Sequence, residues 1–408
     1  MSTHLPIGSR AWTFTLAALT ALVALSIDAS LPAQPRLAAV FGIADETAQL
    51  NLSLFMLGYA ASQIVVGYLS DAFGRRTILI AGLSLFVIAA IACTFATSIE
   101  MLLVARVVQG IGGAAGPVVG RAMVRDTQPP DQAARHMSTM LAAMAIAPMV
   151  APSVGGVLLT HVGWRSIYAL LVVAGAVLLV RSSRALPETL PVERRLAPSA
   201  SGLVRGYRQL FATKGVVLPL AIVCAAFAGQ FAFIGNSPLV LMEGYHVPTE
   251  HFGFYFSTVA VALMLGSLAG SRMLRAGRSP TALVVTGATI VVVGAVLVSV
   301  GTRVGLGIPG FLVPMCIYFF GAGIAGPSAG ALALAPAAHL AGTASAALGF
   351  LQMIAGAVAG YVSTKLGGAD PTLFATIATV MGVITWLLAL AVATRSPGSD
   401  TSRSVRRE

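Results

Sequence analysis

Twelve stretches of about 20 mostly apolar residues, near 11–33, 47–70, 77–97, 99–122, 137–159, 165–182, 216–241, 252–273, 281–300, 307–332, 342–366 and 371–394, dominate this 408-residue chain. Each is long enough to carry an α-helix through the roughly 30 Å hydrocarbon core of a bilayer. In hydrocarbon every backbone N–H and C=O must find a partner within the protein, so only helices and closed barrels cross it, and unbroken apolar runs of this length specify helices. The expected fold class is therefore an all-α membrane protein with twelve transmembrane helices. The composition, 57% hydrophobic and 10% charged, lies far outside that of soluble globular domains.

An even number of spans places both termini on one side of the membrane, and the basic residues indicate which. Only Arg36, Arg165, Arg303 and Lys365 fall in the loops of one side, while Arg10, Arg75, Arg76, Arg121, Arg125, Arg135 and the other loop arginines fall on the opposite side. By the positive-inside rule the termini are expected to be cytoplasmic. The net charge of +11 is then a mark of topology and not of a nucleic-acid partner. Arg10 ahead of an apolar run imitates a secretory signal, but the length of that run, its Asp28 and the spans behind it argue for a permanent helix. The expected location is a bacterial-type inner membrane, crossed many times.

Hydropathy collapses between the sixth and seventh spans, where Pro187, Pro191 and Pro198 stand among arginines. This divides the chain into an N-terminal six-helix bundle (1–182), a cytoplasmic linker (183–215), a C-terminal six-helix bundle (216–394) and a tail (395–408). Within the linker, Leu203, Val204, Tyr207, Leu210 and Phe211 recur at helical spacing opposite arginines, which predicts a short amphipathic helix on the membrane surface. The two bundles echo each other. Gly67 and Gly74 flank the loop after span two, and Gly270 and Gly277 flank the loop after span eight at the same spacing, with Leu274 in place of Asp71.

Charges inside spans are expensive and mark function by default. Asp28 lies about five residues from the outer end of span one and Arg106 about seven from the outer start of span four, depths of roughly 8 and 10 Å at 1.5 Å per residue. The two should share a level. Burial favours a neutral carboxyl and a neighbouring arginine favours an ionised one, so Asp28 is a candidate proton carrier with Arg106 as its modulator. A static buried ion pair is the competing reading. Polar and aromatic residues within other spans, Tyr59, Gln109, Gln230, Phe231, Asn236 and Gln352, are weaker candidates for lining a substrate cavity.

Four motifs carry a family resemblance. The loop Gly67-Tyr68-Leu69-Ser70-Asp71-Ala72-Phe73-Gly74-Arg75-Arg76 resembles the loop between the second and third helices of the major facilitator superfamily. The end of span one (Leu25 to Pro35, with Asp28), the span-four stretch Leu102 to Ala115 around Arg106, and the span-five stretch Ala147 to Gly156 resemble motifs of its drug:proton antiporter branch, closest to the Bcr/CflA (bicyclomycin-resistance) group. In span five, alanines replace two glycines that are common in the family, but Pro152, Gly155 and Gly156 keep the Pro-x-x-Gly-Gly core. Physically, Pro152 removes a helix hydrogen bond and the glycines thin the helix, giving a segment able to flex.

The resemblance implies two six-helix bundles around a central cavity, export of small amphipathic drugs by alternating access, and protons as the coupled ion. It assigns proton coupling to Asp28 and Arg106, and conformational gating to Gly67, Asp71, Gly74, Arg75, Arg76, Pro152, Gly155 and Gly156. An uptake symporter for a small metabolite and a non-transporting membrane receptor are the alternative functions. Neither an enzyme nor a cofactor is expected: Cys93, Cys224 and Cys316 sit in apolar runs, the histidines lack metal-ligand spacing, and no Gly-x-x-x-x-Gly-Lys-Ser/Thr phosphate loop occurs. A monomer in the lipid bilayer is the expected state.

Overall fold

The computed structural model of the protein describes residues 5–195 and 200–395. Twelve helices among them are long and apolar enough to cross a membrane. The first span consists of α1 (Arg10–Asp28) and α2 (Gln34–Phe41); α3 (Asp45–Phe73) and α4 (Arg75–Thr94) are the second and third; α5 (Ile99–Gly113) and α6 (Ala115–Thr127) form the fourth. The fifth and sixth are α7 (Pro130–His161) and α8 (Arg165–Ala185), and α9 (Ala200–Ala212) lies between the halves. The second half runs through α10 (Val217–Pro238), α11 (Thr249–Arg275), α12 (Pro280–Arg303), α13 (Gly307–Leu334), α14 (Ala341–Gly367) and α15 (Pro371–Arg395).

Local chemistry sets where these helices begin and stop. Ser9, Ser98 and Ser279 each accept a backbone N–H in the first turn of α1, α5 and α12, and the Asp370 carboxylate accepts from Thr372 and Leu373 at the start of α15. Gly74 takes a φ of +97°, which only glycine adopts without strain, and so separates α3 from α4 by a single residue. The first span is longer than its hydropathy suggests and is broken inside. A continuous helix would need N–H groups from residues 32 and 35 for the carbonyls of Asp28 and Leu31, but both donors are prolines, and the chain turns through a 3-10 segment at Leu31–Ala33.

We call the end holding the start of α1 and α9 the terminal face and the opposite end the distal face. The two halves meet along two antiparallel helix pairs, α3 with α14 and α7 with α11. Contact is closest toward the distal face, where Leu31–Ala33 also touches α10 and α11. Ser53 Oγ donates to the Ala357 carbonyl at 2.9 Å, and Ser257 Oγ donates to that of Met149. Toward the terminal face the halves stand apart. Gly326 and Gly330 of α13 and Gly342 of α14 face open space, and Gly67 of α3 meets only Val118 of its own half. The molecule is therefore open at the terminal face and closed at the distal one.

The amphipathic stretch of the linker forms α9, but lipid does not take all of its apolar face. Leu210 is 1% exposed and packs with Tyr207 against Ala337, Ala344 and Ala347 around the start of α14, while Phe211 remains 45% exposed. The side chains of Leu203 and Val204 lie outside the described residues. The linker also starts later than its composition indicates, because α8 continues to Ala185.

Candidate functional site

Asp28 closes α1 at the break in the first span and is 4% exposed, the only buried acidic residue among those described. No hydrogen bond or ion pair reaches its carboxylate from any described residue. Arg106 forms no ion pair with it in this state, contrary to the competing reading of a static buried pair. Arg106 is fully buried and donates to the Ser26 carbonyl at 3.2 Å, the Asn51 carbonyl at 3.0 Å, Gln109 Oε1 at 2.7 Å and Ser30 Oγ at 3.5 Å. Its guanidinium lies 4.4 Å from the Phe55 ring centroid and 5.8 Å from that of Tyr168. Arg106 reaches residues on either side of Asp28, so the two share a level, but the first span runs on to Phe41 and Asp28 lies farther from its outer end than the five residues expected. Successive helix residues turn by about 100°, so Ser26 and Asp28 point roughly 200° apart, and with Ser26 toward Arg106 the carboxylate looks away.

Arg106 thus clamps the N-terminal half from inside, tying α5 to α1 and α3. Tyr168 of α8 completes the arrangement by donating to Asn51 Oδ1 at 2.8 Å. Asn51, Ser26 and Tyr168 were not anticipated as a group, although Asn51 stands out as a polar residue inside the second apolar run.

Span five bears directly on the break. A Cβ on Gly155 would overlap the Ala29 carbonyl oxygen, and one on Gly156 would stand 2.7 Å from that of Thr249 in the other half. A Cβ on Gly253 would in turn overlap the backbone of Ser153. Pro152 is buried in the same stretch. The Pro-x-x-Gly-Gly core therefore places α7 in backbone contact with the residue after Asp28 on one side and with α11 on the other.

At the terminal face the organising loop forms a charge cluster larger than its motif. Arg75, 6% exposed, donates through Nε to Asp126 at 2.8 Å and through Nη1 to Asp71 and Ser70. Glu188, from the linker, accepts the backbone N–H groups of Arg75 at 2.9 Å and Arg76 at 3.2 Å, a carboxylate set on the positive end of α4. A Cβ on Gly74 would stand 2.5 Å from Glu188 Oε2, so glycine is needed here for space as well as for φ. Arg76 reaches the Ser183 carbonyl. Asp126 and Glu188 were invisible as partners because they lie 51 and 113 residues from Arg75.

The cavity candidates divide. Gln230 and Gln352 line a recess of about 250 Å³ between α10, α13 and α14, together with Ile222, Ala226, Phe227 and Gly326. Gln109 and Asn236 do not line it: both are fully buried, the first held by Arg106 and the second donating to the Gly368 carbonyl at 3.0 Å. Tyr59 and Phe231 are also buried, at 4% and 7% exposed. Gln109 and Asn236 each have one end of the amide bonded inside the protein, which fixes them away from the recess. A second recess, about 920 Å³, opens at the distal face and is lined in part by Pro32, Pro35, Arg36 and Glu243.

Known proteins resemble this chain along most of its length. The profile of the Major Facilitator Superfamily matches residues 16–360. The multidrug resistance protein D of Escherichia coli is 29% identical over 368 residues, 90% of this chain and 91% of that protein. A bicyclomycin resistance protein homolog of Haemophilus influenzae is 28% identical over 362 residues, 88% of this chain and 91% of its own. Among solved structures, the partially occluded inward-open xylose transporter XylE from E. coli superposes with a TM-score of 0.72 at 17% identity, covering 95% of this chain and 97% of that one.

Proposed function

This chain belongs to the major facilitator superfamily of membrane transporters, and from that premise we propose that it exports small amphipathic drugs in exchange for protons. The observation that carries the reading is Asp28, a carboxylate 4% exposed, without a partner among the described residues, at a helix break that touches the contact between the halves. A buried carboxylate without a counter-ion is stable when neutral and costly when charged, so it binds a proton readily and releases it when water or a cation arrives. The lining of the distal recess includes Pro32, four residues further along the chain. The relatives named for drug resistance support the substrate class.

In this mechanism the halves rock between two states. The terminal-open form is the inward-facing one, since the excess of loop arginines assigns the terminal face to the cytoplasm of a bacterial-type inner membrane. Drug enters the apolar recess beside Gln230 and Gln352. On exposure to the outside, Asp28 takes up a proton and drug leaves; on return, the proton passes to the cytoplasm. An efflux-deficient bacterium expressing the chain should tolerate a wider set of antibiotics and dyes, and proteoliposomes should show drug-dependent proton movement. Accumulation of the test compounds by cells, or drug-independent proton flux, would overturn the reading.

Of the gating residues, those of the loop from Gly67 to Arg76 act at the terminal face. Asp71 is paired with Arg75 here and its side chain is 43% exposed, free to approach the start of α14 when the terminal face closes. Asp71→Asn should leave membrane insertion intact and shift cysteine accessibility toward the inward-open form. Unchanged accessibility with wild-type export would remove Asp71 from the gate.

A further inference from the structure

We propose that the two halves rock on a seam in which polar side chains of α3 seat in sockets formed by glycines of the other half, and that Gln49 in the distal socket sets how readily the distal side closes. The proposal rests on the reading that the halves exchange access, and adds to it the residues that bias the exchange.

The seam has a defined register. Antiparallel to each other, α3 and α14 bring Gln49 to Gly360, Ser53 to Ala357, Met56 to Gly356 and Gln63 to Gly349. On α3 these positions are spaced by four, three and seven residues, and on α14 Gly360, Gly356 and Gly349 are spaced by four and seven with Ala357 beside Gly356, so each set lies along one face. A Cβ on Gly360 would stand 2.9 Å from Gln49 Nε2, and one on Gly356 3.0 Å from Met56 Cε. A Cβ on Gly349 would overlap Gln63 Oε1, and one on Gly235 of α10 would overlap Gln49 Nε2. The glutamine side chain therefore occupies the space that two glycines, on different helices of the opposite half, leave empty.

Gln49 is 1% exposed, and among the described residues neither its amide nitrogen nor its amide oxygen has a hydrogen-bond partner. An ordinary core position would hold an apolar side chain or a satisfied amide. Here closing the distal side takes the amide away from bulk water without a protein donor or acceptor in exchange, which opposes closure. The glycine socket makes closure sterically possible; the amide keeps it from being deep. These opposing effects suit a transporter whose two states must lie close in free energy.

The two parts of the socket give opposite signs on substitution. Gly235→Ala should favour the distal-open state, because the added methyl meets Gln49. Gln49→Ala should favour the distal-closed state, because the unsatisfied amide is gone. Combining them should cancel the effect of the methyl, since the next nearest atom to it is Gly360 Cα at 3.3 Å. The measurement is the ratio of distal-open to distal-closed protein, read by spin-label distances across each face of the full-length chain in lipid nanodiscs. A shift of about tenfold or more is expected for Gln49→Ala, from the cost of one unsatisfied buried polar group, and a shift of opposite sign for Gly235→Ala, from the clash of its methyl with Gln49. Gly360→Ala repeats the test with a gentler clash should Gly235→Ala not fold. Absence of both states in the unsubstituted protein would overturn the alternating-access reading itself. Two populated states that neither glycine variant moves, or a shift that persists undiminished with Gln49→Ala, would overturn the seam alone.

Discussion

Asp28→Asn should reduce proton-driven export to the level of empty liposomes while drug binding persists. Asparagine keeps the shape of the side chain and removes its titration, and no other acidic residue among those described is buried to take over the proton. Binding of a neutral drug should depend on pH in the unsubstituted protein, because protonation of Asp28 is part of the cycle, and should become independent of pH in the variant. A single carrier also fixes the electrical character of transport. One proton moving in against one neutral drug moving out carries net charge, so membrane potential should drive that exchange. Exchange against a monovalent cation moves none and should respond to the pH gradient alone. Undiminished pH-driven transport by Asp28→Asn in proteoliposomes would show that the carrier lies elsewhere, and the coupling mechanism would have to be abandoned.

Arg106→Ala should abolish export and lower thermal stability together. The guanidinium donates to three helices' worth of acceptors, on Ser26, Ser30, Asn51 and Gln109, and hydrogen bonds from a charged donor contribute about 1.5–3 kcal/mol each. Relief of a buried charge offsets part of the loss. The melting temperature of the purified protein should therefore fall by several degrees. Arg106→Lys is the sharper test, because it keeps the charge but not the planar fork that reaches several acceptors at once. It should melt closer to the unsubstituted protein than Arg106→Ala does and still fail to export. Wild-type export by Arg106→Lys, or an unchanged melting temperature for Arg106→Ala, would sink the clamp. This account differs from direct tuning of Asp28 by Arg106, since in this state the two side chains face different ways.

The glutamines show how far local sequence carries. Gln109, Gln230, Asn236 and Gln352 look alike as single polar residues in apolar runs, yet two line a recess and two are locked in the interior. Gln49 and Asn51 lie in the same kind of run and prove to belong to the seam and to the Arg106 clamp. The loop motif at Gly67 located a real charge cluster, but only two of its carboxylate partners' positions, Asp126 and Glu188, explain why Arg75 is buried and why Gly74 has no room for a side chain.

By itself the sequence determined whatever depends on position along the chain. Span number follows from the length of apolar runs, and the shared level of Asp28 and Arg106 from 1.5 Å per residue. Only the tertiary structure decided whatever depends on rotation about a helix axis: that Ser26 and not Asp28 faces Arg106, that Gln49 enters a glycine socket, that Leu210 of α9 packs on α14. The reason is the solvent. In water, an apolar stripe tells which face of a helix is buried; in lipid, both faces are apolar, as the fully buried Phe86 and the 69% exposed Phe95 at the end of the same span illustrate. Hydropathy then has no contrast from which to read a facing, and close contact between small residues and polar side chains sets it instead.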